Sequence, residues 1–235
     1  MQTDRDAQIV GWIGGLGAAS AEHVMYRFGM CRSVAYERLN SLSKDRLLEH
    51  RAVLFGRPGM YSATNAGLRW RGLDRLGVYK VSPGGFEHAW QVAEAAVELY
   101  VRLPGWQLLS ERELRAIEAD SGELYASVQV GSNAGQPRVH RPDLVLVSPS
   151  ARVLAVEVEM SVKSASRLAE ISRGWARARH IDRVYYLAAS APARAVKRAV
   201  RAASASERVN VLDLEDYSLL SDSESAREEA VDALA

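Results

Sequence analysis

Three carboxylates and a lysine stand close together in the second half of this 235-residue sequence. Asp143 precedes one apolar run, Glu157 and Glu159 end the next, and Lys163 follows shortly after. Residues two apart in a strand share a face, so Glu157 and Glu159 are predicted to project side by side. With Asp143 from the neighbouring strand they make three hard oxygen ligands, the set that Mg²⁺ prefers. We therefore predict a metal site for Mg²⁺ or Mn²⁺ formed by Asp143, Glu157 and Glu159, with Lys163 stabilising negative charge or positioning a water.

Two other interpretations of these residues remain open. In the first, Glu157 and Glu159 are solvated residues at a strand end, and Lys163 is their salt-bridge partner. In the second, the domain has lost metal and catalysis and is retained for DNA binding. His140, next to this segment, is a candidate base, although a lone histidine is more often structural.

A second group of candidate residues lies on a predicted helix over residues 32–44. Arg32, Ser33, Tyr36 and Asn40 lie opposite its apolar positions. A single helix fits the DNA major groove, where arginine pairs with guanine and asparagine with adenine. Arg57, at the tip of a hairpin, is predicted to reach the minor groove or the DNA backbone. The cations predicted to hold phosphates are Arg38, Lys44 and Arg46. These residues predict binding to double-stranded DNA. The alternative is a small helical module that contacts protein.

The elements that must position the helix over residues 32–44 occupy residues 1–80. Hydrophobic periodicity and capping residues predict helices over residues 4–16, 20–28 and 32–44. Strands over residues 47–54 and 60–63 flank the turn sequence Phe55-Gly-Arg-Pro-Gly59, and a helix follows over residues 65–73. This order predicts an α+β winged helix-turn-helix.

The elements around the carboxylates alternate between strands and helices. Residues 81–103 are predicted as a linker helix, ending at Pro104-Gly105. Ser110 and Glu113 have the spacing of a capping box and predict a helix start. Strands over residues 124–130, 144–147, 153–159, 184–188 and 209–212 then alternate with helices over residues 162–179 and 192–203. Residues 104–213 are therefore predicted to form an α/β domain with a partly parallel sheet.

The charge of the chain is distributed unevenly. The formal net charge is +1, but residues 1–80 carry 12 Lys and Arg against 7 Asp and Glu, and 8 acids and one base follow from Asp213 onward. We predict an acidic, disordered tail over residues 214–235.

The single cysteine excludes an internal disulfide. The absence of a long apolar run or a signal region predicts a cytoplasmic protein with no membrane partner, and the predicted DNA binding implies association with the nucleoid.

The pattern Pro142-Asp143, then Glu157 on the next strand, then a lysine resembles the PD-(D/E)XK nuclease fold. In that family the aspartate and the second acid bind Mg²⁺, and a lysine assists the attacking water. The resemblance implies these roles for Asp143 and Glu157, and Glu111 matches an extra acid that many members carry. The family's lysine position holds Glu159 here, so Lys163 is interpreted as a migrated substitute.

The segment from Glu157 to Ser164, with Ser110-Glu-Arg-Glu-Leu-Arg115 upstream, also resembles the replication-relaxation family of plasmids and other mobile elements. That family is similar over nearly the whole chain, with a winged helix followed by a PD-(D/E)XK-like domain. The resemblance implies a DNA-binding protein acting in replication or transfer control, with endonuclease activity if the carboxylates bind metal. The alternatives are a non-enzymatic transcriptional regulator, whose degenerate nuclease-like domain mediates homodimerisation or extra DNA contacts, and a protein-interaction adaptor.

Overall fold

The computed structural model describes residues 2–133 and 135–214. The chain divides into two compact units, Met1–Val97 and Glu98–Ala235. All but one residue of the predicted acidic tail, residues 214–235, lie outside the described residues. Within the described ranges, no helix combines the length and the apolar character needed to cross a membrane.

The first unit consists of helices and one small sheet. Its elements are α1 (Asp4–Leu16), β1 (Ala18–Ala19), α2 (Ala21–Phe28), α3 (Arg32–Lys44), β2 (Leu48–Arg51), β3 (Met60–Ala63), α4 (Asn65–Trp70) and the first part of α5 (Phe86–Arg102). The predicted bounds of α1 and α3 are confirmed. The first hairpin strand is shorter than predicted, because its register with β3 covers only four residue pairs.

Local hydrogen bonds fix where the first helices begin. The hydroxyls of Thr3 and Ser20 accept hydrogen bonds from the backbone of Asp6 and His23, and both ends form capping boxes. In the second box the Ser20 N–H donates to His23 Nδ1 (3.1 Å). The buried imidazole therefore takes the place of the usual Glu or Gln, and burial lowers the pKa of His23 to about 4.

The sheet of the first unit has the order β1-β3-β2, and both pairings are antiparallel. The apolar side of α3 buries Leu39 and Leu42 in the same cluster as Ile9 and Ile13 of α1. The Arg38 side chain on α3 donates to Asp6 of α1 (2.9 Å). Burial acts to raise the pKa of Asp6, but the hydrogen bonds from Thr3 and Arg38 outweigh it and lower the pKa. This ion pair and the apolar cluster leave the opposite face of α3 to solvent.

The helix α5 is not a separate linker. Phe86, Ala89 and Trp90 form a buried cluster with Ala18 and Met60, so the beginning of α5 belongs to the core of the first unit. The boundary between the two units falls inside the helix, at Val97 and Glu98. This boundary differs from the predicted linker over residues 81–103.

In the second unit, four consecutive strands follow a first strand and helix, and the predicted alternation of helices and strands begins after them. Its elements after α5 are β4 (Gln107–Ser110), α6 (Glu111–Ser121), β5 (Val128–Asn133), β6 (Gln136–His140), β7 (Leu144–Val147), β8 (Val153–Glu159), α7 (Ala165–Arg177), β9 (Arg183–Ala188), α8 (Ser190–Ala202) and β10 (Val209–Asp213). The capping box at Ser110 is present. The strand predicted over residues 124–130 corresponds to β5, which begins and ends later, whereas β6 and the edge strand β4 are not in the predicted set.

The main sheet has the order β10-β9-β8-β7-β4. The pairs β8·β9 and β9·β10 are parallel, and β4·β7 and β7·β8 are antiparallel, so the expectation of a partly parallel sheet is confirmed. The helices α7 and α8 share one buried cluster with β8, β9 and β10. This topology makes β8 an inner strand whose end carries Glu157 and Glu159.

Candidate functional site

The exposed face of α3 carries the polar residues singled out above. Arg32, Ser33, Tyr36 and Asn40 are all exposed, and Lys44 is exposed at the last turn. The Arg32 guanidinium lies over the Tyr36 ring, 5.6 Å from its centroid. A cation–π contact of this kind orients a long side chain that is otherwise free to rotate. The face therefore presents several hydrogen-bonding groups, and this contact restricts the rotation of Arg32.

The hairpin tip differs from the prediction in one respect. Arg57 was predicted at the tip, but its guanidinium folds back and pairs with Glu87 of α5 (3.0 Å). It also lies over the rings of Phe86 and Trp90. The side chain that projects fully into solvent is Phe55. The turn sequence predicts where the chain reverses, but it does not predict that a side chain of the turn forms an ion pair with α5.

Asp143 and Glu157 face each other across the end of two antiparallel strands. Leu144 of β7 pairs with Val156 of β8, which places Asp143 opposite Glu157. The Asp143 Oδ2 atom accepts a hydrogen bond from the backbone N–H of Val158 (2.8 Å). This bond satisfies a β8 amide beyond the end of β7, and it holds the carboxylate at the strand end.

Glu157 and Glu159 are both buried, with 4% and 3% of their surface exposed. The interpretation of these residues as solvated is therefore wrong. The cause is the position of β8 inside the sheet, with α7 and α8 packed over the face that these alternate residues share. Burial of a carboxylate requires a partner for its charge, and each glutamate has one.

The partner of Glu157 is His140, at the end of β6. The His140 Nε2 and Glu157 Oε1 atoms are 2.5 Å apart. Burial raises the pKa of Glu157, His140 and Lys163 oppose that increase, and the nearby Asp143 carboxylate adds to it. His140 therefore partly compensates the carboxylate charge that burial disfavours.

A chain of aromatic residues supports this pair. The His140 ring packs edge-on against Trp175 of α7, with 5.6 Å between ring centroids. The Trp175 indole N–H donates to the Tyr186 hydroxyl (3.2 Å), and Tyr186 is the β9 neighbour of Glu157. Burial raises the pKa of Tyr186, and the charge of Glu157 adds to the increase. The role of Tyr186 was not predicted, because strand register cannot be inferred from the sequence of β9 alone.

Lys163 forms an ion pair with Glu159. It lies in the loop before α7, which begins at Ala165 rather than at about residue 162 as predicted. The lysine remains near the carboxylates, as the resemblance requires, and its charge compensates that of Glu159. The structure thus places Asp143 and Glu157 opposite each other and Glu159 in a pair with Lys163.

Glu111 is placed differently from the other candidate residues. Its side chain pairs with Arg115 on the surface of α6 (2.6 Å). The buried acid of this helix is Glu118, which is 5% exposed. Its Oε1 atom accepts hydrogen bonds from three consecutive backbone amides at residues 125–127, and its Oε2 atom accepts from Ser127 and Arg141. The sequence contains a signal for the burial of Glu118, because Glu118 lies one helical turn after the apolar Leu114 and therefore on the same face of α6.

The donor chemistry of the site fits Mg²⁺ at Asp143 and Glu157, which both offer carboxylate oxygens at one strand end. Glu159 has the same chemistry, but its charge is compensated by Lys163. Among the described residues, no group of three or more His, Cys, Asp or Glu side chains has a metal-binding arrangement.

Comparison with known proteins adds little to this geometry. The chain matches no protein-family model and no curated protein. It is weakly similar to a solved structure described as an O-methyltransferase family protein from Burkholderia thailandensis, with 13% identity and a TM-score of 0.20. The match covers 89% of this chain and 60% of that one, and at this TM-score it carries no argument about fold or function.

Proposed function

We propose that this chain binds double-stranded DNA through a winged helix-turn-helix formed by residues 1–80. The observation that carries the proposal is the exposed polar face of α3, next to the antiparallel hairpin of β2 and β3. The order of three helices, a hairpin and a further helix supports the same assignment. By the resemblance described above, the protein acts in replication or transfer control of a mobile element.

The residues of this face have the chemistry of base recognition. Arginine donates two hydrogen bonds to guanine, and asparagine both donates to and accepts from adenine. We assign these roles to Arg32 and Asn40, and we assign phosphate contacts to Lys44 and Arg57. Arg57 has to leave Glu87 and the rings of Phe86 and Trp90 for this purpose. The ion pair is worth about 1 kcal/mol or less because it is about half exposed, and each cation–π contact is worth about 0.5–1 kcal/mol.

The test is a binding assay with the full chain on duplexes selected from a random pool, over a range of salt concentrations. We expect affinity to fall steeply with salt, because phosphate contacts release counterions. Arg32→Ala or Asn40→Ala should relax the sequence preference at one base pair by about 1–3 kcal/mol. Arg69→Ala, which removes an exposed arginine of α4, is the matched control and should leave the preference intact. No binding at low salt, or equal effects of Arg32→Ala and Arg69→Ala, would refute the proposal.

A second candidate function is metal-dependent DNA cleavage by the second unit. It is favoured by the opposed carboxylates of Asp143 and Glu157 and by Lys163 close to both glutamates. Mg²⁺ or Mn²⁺ bound there would polarise a phosphate oxygen or lower the pKa of a bound water. Of the residues assigned by resemblance, Glu111 has the weakest support, because it lies in a surface ion pair with Arg115.

Metal binding is tested separately from cleavage. Mg²⁺ or Mn²⁺ should raise the melting temperature by preferential binding to the folded state, and Glu157→Gln should abolish the shift. Glu207→Gln, at an exposed position, is the control and should keep it. If millimolar Mn²⁺ gives no shift, the alternative is favoured, in which a non-enzymatic transcriptional regulator uses a degenerate domain for homodimerisation or extra DNA contacts.

A further inference from the structure

The helix α8 has a strongly basic exposed face. Its four cations are Arg194, Lys197, Arg198 and Arg201, which we call the α8 basic face. Their spacing places them on one side of the helix, and all four are exposed. The other side buries Pro192, Ala193, Ala195, Val196 and Val200. The helix contains no acidic residue, so nothing within it balances this charge.

Within the described part of the chain, none of these four side chains forms an ion pair. Two arginines elsewhere in the unit contrast with them, because Arg138 and Arg167 both pair with Glu170. Like charges three or four residues apart destabilise a helix by a few tenths of a kcal/mol per pair. The α8 basic face contains several such pairs, and an anionic partner would relieve their repulsion.

The location of the α8 basic face connects it to the candidate site. The N–H of Ala189, the residue before α8, donates to the carbonyl oxygen of Glu159 (3.2 Å). The N-terminal end of α8 therefore lies at the end of β8, and the basic face begins about 7–8 Å farther along the helix axis, at Arg194. Its four positions span about 10 Å along the helix axis. A similar length of duplex DNA carries about six phosphates.

We propose that the α8 basic face binds the phosphate backbone of double-stranded DNA, as a contact surface additional to α3. This inference rests on the proposed function, because it assumes that the chain is a DNA-binding protein. The exposed side of α8 presents no apolar side chain larger than alanine. Protein interfaces rely on buried aromatic and apolar anchors, whereas phosphate contacts need only positive charge.

The experiment compares two double variants of the full chain that lose the same charge. Arg198→Gln with Arg201→Gln alters the α8 basic face. Arg152→Gln with Arg183→Gln removes two exposed arginines outside α8, one before β8 and one at the start of β9. The slope of the logarithm of affinity against the logarithm of salt concentration should fall in magnitude by about 2 in the first variant, and remain unchanged in the second. Circular dichroism should be the same for all three proteins, and the melting temperature of the α8 variant should be equal to or slightly above that of the parent, because repulsion within α8 is reduced.

Each outcome bears on one of the two proposals. An unchanged slope in the α8 variant overturns the inference, and it leaves the proposed function standing if Asn40→Ala still changes sequence preference. A parent chain without salt-dependent DNA affinity overturns both. If the α8 variant instead loses only affinity for a synthetic peptide of residues 215–235, the surface binds an acidic polypeptide, and the role in DNA binding is overturned.

Discussion

Replacing Glu118 should destabilise the second unit by an amount that depends on which of its oxygen atoms is lost. Glu118 Oε1 accepts from the N–H groups of Tyr125, Ala126 and Ser127 at 3.0, 3.3 and 3.1 Å. Glu118 Oε2 accepts from the Ser127 hydroxyl (2.7 Å) and from Arg141 Nε (3.1 Å). Since the carboxylate is buried, bulk water cannot supply the hydrogen bonds that either oxygen accepts.

Two substitutions separate these contributions. Glu118→Ala removes every acceptor and leaves buried donors without partners, so it should lower the free energy of unfolding by about 3–5 kcal/mol. Glu118→Gln keeps one carbonyl oxygen for the three amides and loses the charge-assisted bond to Arg141. Its expected cost is about 1.5–3 kcal/mol. Glu111→Gln is the matched control, and its surface ion pair should be worth about 0.5 kcal/mol or less.

The assay is urea denaturation, analysed at equal m-values, together with amide hydrogen exchange. Glu118→Ala should accelerate exchange at the amides of residues 125–127, whereas Glu118→Gln should largely preserve their protection. The reasoning is refuted if the alanine and glutamine variants lose the same stability. It is also refuted if Glu118→Ala differs from Glu111→Gln by less than about 0.5 kcal/mol.

Two further predictions concern the first unit. Because the pKa of His23 is lowered from 6.5 to about 4, the unfolded state binds more protons between these values, and stability should fall as pH falls through that window by on the order of 3 kcal/mol. His23→Gln keeps an acceptor for Ser20, so it should flatten this dependence in pH-dependent denaturation; an unaltered profile would refute the assignment. A Cβ at Gly67 would overlap the Leu47 carbonyl oxygen, so Gly67→Ala should lower the melting temperature, at a cost of about 1–3 kcal/mol. Gly11→Ala, whose Cβ would meet only a flexible arginine side chain, should instead be neutral or stabilising by up to about 1 kcal/mol, and equal effects would contradict the reasoning.

The elements predicted correctly are those whose signals are local in sequence. The bounds of α1 and α3 follow from periodicity and capping, and the capping box at Ser110 marks the beginning of α6. Short strands were missed, because β1 and β4 owe their assignment to pairing with distant strands. Strands of two or four residues are too short for an alternation of apolar and polar residues to be recognised in the sequence.

The sequence alone determined which residues are candidates for chemistry, since Asp143, Glu157, Glu159 and Lys163 stand out by type and spacing. It also determined that Arg32, Ser33, Tyr36 and Asn40 share the polar face of one helix. These conclusions need only the periodicity of strands and helices, which is a property of the local backbone.

Only the tertiary structure decided the partner of each group. It paired Glu157 with His140, turned Arg57 toward Glu87, and made Glu118 the buried acid of α6 in place of Glu111. Each of these contacts joins residues from different elements, or depends on which side of an element is covered. Burial and charge compensation depend on which elements pack against a sheet or helix. That packing joins segments that are distant in sequence, so it cannot be deduced from each segment by itself.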